Sequence, residues 1–219
     1  MPRLPLLFLA ILSLLGAIWA GLLRIGWGWP SLHAALAAAH GPLMVSAFRG
    51  TVISLERAVA LETVAVESVA LASAAPGSPT IRRRAAYLVP ALAALGGLLL
   101  LTGLSWTWAG WVLAAASLGL VILFAIIVRR HPALYTVTMA LGAVAWLGGN
   151  LLAVAGRPLY AVAPWWVAFL VLTIAGERLE LSRVLRLSRG APALFAVGLV
   201  LLTAGVVGSS WNYDIGGRL

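Results

Sequence analysis

The stretch SLHAALAAAHGPLMVSAFRGTVISLERAVAL, residues 31–61, decides the fold. It is long and apolar enough to cross a bilayer, whose hydrocarbon core takes about 20 apolar helical residues. Yet it carries two of the three histidines in the chain, His33 and His40, and an arginine, Arg49, at a depth where charge is costly. An ionisable residue inside a spanning helix marks a candidate functional site until a structural partner explains it.

The rest of the chain has the same character. Of its 219 residues, 63% are hydrophobic and 10% charged, and the mean hydropathy is +1.05. A soluble domain carries about 25% charged residues, so no water-facing surface can be built from this composition. The reading is an all-α integral membrane helical bundle, one transmembrane domain over residues 1–219. The net charge of +9 is carried by arginine alone. Those arginines fall at the ends of apolar runs, as membrane topology requires, and not on one aromatic-rich basic face, so nucleic acid is not a partner. The bilayer is one, and a homo-oligomer or a redox partner fits the same surface. With no cysteine present, disulfides, thiolate metal sites, iron–sulfur clusters and covalently attached haem are excluded.

Working outward gives seven apolar runs. Helix 1 covers Leu4–Leu23 and reads as a retained span, because Ile18 spoils a signal-peptidase site ending at Ala20. Helix 2 starts near Pro30 and Ser31, with Ser31 as N-cap, and descends to Glu56 and Arg57. It has no breaker through residues 63–75 and can overrun the membrane. Helix 3 covers Tyr87–Leu101, helix 4 Trp108–Val128, helix 5 Pro132–Val154, helix 6 Ala163–Leu181 and helix 7 Pro192–Val207. With the N-terminus inside, the inner segments hold Arg3, Arg57, Arg82, Arg83, Arg84, Arg129, Arg130, Arg178, Arg183, Arg186 and Arg189. The outer segments hold only Arg24, Arg157 and Arg218. The positive-inside rule therefore predicts seven spans with the N-terminus inside and the C-terminus outside, in a bacterial cytoplasmic membrane.

At 100° per residue, His33, His40, Met44 and Thr51 form one stripe on helix 2, and Arg49 and Glu56 form a second on the opposite side. Two polar faces predict a central helix, with Arg49 turned toward protein or a cavity and never toward lipid. His40 lies roughly 10 Å below the outer boundary, where it can ligate a metal, relay protons or bond a neighbouring helix. Asn150 on helix 5, in the run WLGGN, is its best neutral neighbour, and Gly148 and Gly149 allow close approach there. His33 reads as an interfacial residue or an auxiliary ligand, and His131 as a solvated loop end. Both GTVISLERAVAL and VLTIAGERLEL carry a Glu-Arg pair at the inner boundary. This predicts a polar layer of Glu56, Arg57, Glu177, Arg178 and Glu180, with a Glu–Arg contact between helices 2 and 6.

The segment HGPLM, carried by His40, Gly41 and Met44, resembles the histidine-glycine-x-x-methionine segment of haem-copper oxidase catalytic subunits. The layout is similar to that of NnrS-type membrane proteins. That resemblance implies a haem b, or another metal, on His40, with Met44 beside it; Asn150, by its depth, and His33 are the further candidate contacts. The sixth ligand would be absent or come from Met44 or a partner chain. The chain departs from those families in having no three-histidine copper cluster and no second buried histidine, so oxygen or nitric-oxide reduction is not supported. HGPLM, LERAVAL and GERLELSR together also resemble a family of uncharacterised bacterial polytopic membrane proteins.

No catalytic constellation can be assigned, since no acid lies mid-membrane and Glu177 and Glu180 read as partners of Arg178 rather than as a hydrolytic pair. Three functional classes stay open. One is a haem- or metal-binding redox or sensor protein built on His40. A second is a small-solute or anion transporter or channel using Arg49 and the Glu-Arg layer. The third is a non-catalytic membrane assembly subunit.

Overall fold

A computed structural model describes residues 3–71, 85–182 and 191–211. Every regular element among them is helical. In chain order these are α1 (Arg3–Arg24), a 3₁₀ turn (Ala37–Ala39), a π-helical segment (Pro42–Arg49), α2 (Gly50–Leu71), α3 (Leu88–Leu101), α4 (Trp106–Arg130), α5 (Leu134–Val154), α6 (Leu159–Ser182) and α7 (Ala191–Trp211). A helix thus stands at each of the seven apolar runs. Four of them, α1, α4, α5 and α6, are long and apolar enough to cross a membrane, and the protein is integral to one. The loop arginines Arg82, Arg83 and Arg84, and Arg183, Arg186, Arg189 and Arg218, lie outside the described residues.

The chain forms two compact units, Met1–Leu120 and Val121–Leu219. In the first, α1 and the long second helix run antiparallel. Arg3 of α1 bonds Glu62, Leu6 shares a buried cluster with Leu55, and Ala17 meets His40. Small residues bring α3 against both. A Cβ on Gly97 would strike the Ser13 hydroxyl and stand 2.7 Å from the Ala47 side chain, so these three backbones meet at one level. Gly16 is closed over by Leu101 in the same way, and Gly96 by Leu113 of α4.

The second unit is built on the antiparallel pair α5 and α6, joined by a four-residue turn in which Gly156 takes φ +73°. Trp146 stacks on Phe169 with ring centroids 5.0 Å apart, and neither ring is exposed. Gly142 faces Phe169 and Leu172, and Gly176 faces Met139 and the Tyr135 carbonyl, so the backbones approach closely along the whole pair. Its buried hydroxyls are satisfied within their own helices, Thr138 donating to the Leu134 carbonyl and Thr173 to the Phe169 carbonyl.

Two helix starts differ from expectation. Helix 5 begins at Leu134 rather than Pro132, because Thr136 reaches back to accept the Ala133 N–H at 3.1 Å and so caps the first turn. The second helix does not run straight from Ser31. Residues 31–36 form bends and turns, where the Ser31 hydroxyl donates to the His33 carbonyl and caps no helix. Helical winding then begins as 3₁₀ and widens at Pro42 into a π-helix of eight residues. Proline has no N–H to give to the carbonyl four residues back, and a longer-period winding accommodates that loss. At its end the Gly50 N–H reaches the Val45 carbonyl, five residues back. Below this point regular α-helix resumes and continues to Leu71, so the overrun past Glu56 and Arg57 is real.

Candidate functional site

The end of the first unit where α1 finishes and the second helix begins gathers the candidate ligands. His40 Nδ1 lies 2.8 Å from the Ala17 carbonyl oxygen on α1. Its ring rests on Gly21, where a Cβ would come within 2.8 Å of Nδ1. A carbonyl only accepts, so Nδ1 is the donor, and in the neutral ring Nε2 keeps its lone pair. His33 has the opposite arrangement. Its Nε2 lies 3.1 Å from the Leu100 carbonyl of α3, and its ring packs on Gly103, which takes φ +75°. The two imidazoles are therefore held by different helices, through different ring nitrogens. Met44 is half-buried against the cluster of Ala17, Ala20, Leu36, Ala39 and Leu43. His131 is exposed at the end of α4.

The loop after α1 is pinned beside these ligands. Trp19 donates to the Pro30 carbonyl at 3.2 Å and meets Trp29 edge-on at 6.0 Å. This fixes the chain that leads into His33.

Asn150 is buried in the second unit, and its Oδ1 accepts from Trp166 Nε1 of α6 at 3.1 Å. Gly148 and Gly149 do permit close approach, but what approaches is Trp165 and Trp166. Asn150 thus joins α5 to α6.

The two-stripe reading of helix 2 is corrected by the π segment. His33 precedes the helix, and eight residues wound at more than 3.6 per turn shift every side chain below them. Thr51 is fully buried and bonds the Ala47 carbonyl, while Arg49 is exposed. The expectation that Arg49 turns into protein or a cavity therefore does not hold. Its described contact is with the Phe48 ring, 5.8 Å from the centroid.

Of the expected Glu-Arg layer, Arg57 is buried and its Nη2 donates to the exposed Glu56 at 3.2 Å, a pair between sequence neighbours. Glu177 and Glu180 are half-buried and Arg178 is exposed, in the other unit. Sequence reasoning missed a further polar group. Arg3 Nη2 donates to Glu62 Oε2 at 2.8 Å, the Tyr87 hydroxyl donates to the same oxygen at 2.6 Å, and Arg3 Nε donates to the Tyr87 oxygen at 3.3 Å. Burial and then the Glu62 bond push the Tyr87 phenol above its ordinary value. Glu62 lies almost two turns beyond Glu56, so counting from the expected boundary placed it past the membrane. The signal available was that an arginine, a glutamate and a tyrosine each stood at an inner helix end.

No group of three or more histidine or acidic residues able to hold a metal ion occurs among the described residues. A bare ion is therefore poorly served. A haem needs less of the protein, because the macrocycle supplies the equatorial nitrogens and one histidine can hold the iron. His40 is one half-buried histidine of that kind, with Met44 four residues on.

The family model of a domain of unknown function, DUF8744, matches residues 3–219. No curated protein and no solved structure matches the chain.

Proposed function

The chain belongs to the DUF8744 family, and from that premise we propose that it is a seven-span protein of the bacterial cytoplasmic membrane that holds haem b on His40 for a redox or sensing role. The N-terminus lies inside and the C-terminus outside. The arginine distribution supports this orientation, with eleven residues in the inner segments against three in the outer.

One observation carries the haem reading. The Ala17 carbonyl fixes Nδ1 of His40 as the protonated nitrogen, so the Nε2 lone pair is free to ligate. A hydrogen bond from the other ring nitrogen to a carbonyl orients a ligating histidine and raises its basicity. Met44 is the nearest soft donor in sequence and is half-buried in the adjoining cluster. Bound haem would supply one-electron chemistry or gas binding. The chain's own contribution is to hold the imidazole in one tautomer, at the junction of α1 with the second helix, among apolar side chains.

The visible spectrum of protein purified from haem-replete cells tests the reading. A Soret band is expected, lost in His40→Ala and kept in His131→Ala. Absence of the band in the native protein would overturn it. The exposure of Arg49 favours a second reading, a membrane assembly subunit, over a solute path through the chain's interior.

A further inference from the structure

Arg49 leaves the chain at half the height of α1. Ser13 stands at the middle of Arg3–Arg24, and Ser13 and Ala47 both close on Gly97, so Ala47 lies at that level. Two residues further on, Arg49 is within about 3 Å of it. With α1 crossing the bilayer, the guanidinium emerges near the centre of the hydrocarbon, roughly 15 Å from either headgroup layer. A charge in that position is expensive and marks function by default.

Its outward direction is built in. The π segment ends on Arg49, with Ser46, Ala47, Gly50 and Thr51 buried around it. Local π winding is rare and recurs at functional positions. Below Arg49 the same side of the helix continues as half-buried Val52, exposed Glu56 and exposed Ala60. This is a stripe of the first unit that carries two exposed charges, Arg49 and Glu56.

We propose that the stripe Arg49–Val52–Glu56–Ala60 docks a membrane helix of another protein, one that carries an aspartate or glutamate at mid-bilayer to pair with Arg49. Charge complementarity selects this occupant. A second copy of the chain fits poorly. A two-fold axis along the membrane normal would set Arg49 against Arg49, while the partner's Glu56 would lie two turns lower, about 10 Å away. Headgroup phosphates lie beyond the reach of the side chain. A partner carboxylate at the same depth neutralises the charge without moving either helix, and bonds between helices in lipid are worth enough to hold such a pair.

The test uses the full chain, fluorescently labelled and reconstituted in phosphatidylcholine vesicles. It is titrated with a labelled single-span leucine–alanine peptide bearing one central glutamate. Energy transfer should show this peptide binding roughly 5- to 30-fold more tightly than the same peptide with a central leucine. Arg49→Leu should abolish the difference, and Arg49→Glu should transfer the preference to a peptide with a central arginine. If Arg49→Leu does not reconstitute, the charge-reversed pair decides. Equal binding of the glutamate and leucine peptides, or no gain for the reversed pair, would overturn the proposal. Arg49-dependent self-association without peptide would overturn it in favour of a second copy.

Discussion

His40 Nδ1 and the Ala17 carbonyl oxygen stand 2.8 Å apart, and this contact joins the second helix to α1 at one fixed ring orientation. Gly21 makes room for it. Gly21→Leu is therefore expected to push the imidazole off Ala17 and cost about 1–3 kcal/mol of stability, as overpacking does. A thermal melt in detergent measures the cost. Any Soret band should weaken in parallel. Gly28→Ala, where a Cβ meets nothing within 4 Å, should leave both readouts unchanged.

Tyr87 gives a pH prediction with a definite sign. Its phenol is raised by burial first and by the Glu62 bond second, while Arg3 opposes the rise. A proton held more tightly in the folded state contributes stability that is fully present below the unfolded value, about pH 10, and is lost as pH rises through the folded value. In an alkaline absorbance titration, the tyrosinate signal missing from Tyr87→Phe identifies this residue among the four tyrosines. Glu62→Gln should move that signal to lower pH and Arg3→Met to higher pH. Shifts in the same direction would refute the triad.

The helices were legible because each is an apolar run closed by arginine, proline or glycine, and span length alone sets that pattern. Their partners were less so. Asn150 could be placed by depth, but depth alone did not name Trp166 of α6 as a partner, which follows from the close approach at Gly148 and Gly149. Pro42 announced a lost backbone bond without saying whether the helix would kink, stop or rewind. The packing of Ala47 and Ser13 on Gly97 is a tertiary contact, and it accompanies the rewinding that turns Arg49 outward. Reading at a constant 100° per residue therefore failed below Pro42, where Met44, Arg49 and Glu56 lie.

The bond between Asn150 and Trp166 should be measurable as coupling. Both side chains are buried, and Asn150 Oδ1 accepts from the indole at 3.1 Å. A double-mutant cycle with Asn150→Ala and Trp166→Phe, followed by unfolding in mixed micelles, should give a coupling of about 0.6–1.7 kcal/mol, the range of polar contacts between membrane helices. A coupling of zero would mean that the asparagine acts through other neighbours.

The winding of the second helix can be tested directly, because the chain has no native cysteine and single labels are clean. A straight α-helix places Ser46 about 60° from Arg49, on the same broad face. The π winding instead buries Ser46 completely and leaves Arg49 exposed. Spin labels at cysteines replacing residues 46, 49, 54, 56 and 60 should therefore separate into two groups when challenged with lipid-soluble oxygen. Labels at 49, 56 and 60 should be accessible, and those at 46 and 54 shielded. Comparable accessibility at 46 and 49 would restore the straight helix and remove the basis for an outward Arg49. The same scan in a Pro42→Ala background locates the cause. Proline-driven winding predicts that the label at 46 becomes accessible as the missing N–H returns to the ladder. An unchanged pattern would assign the winding to the seat of Ala47 on Gly97, and Gly97→Ala should then disturb it.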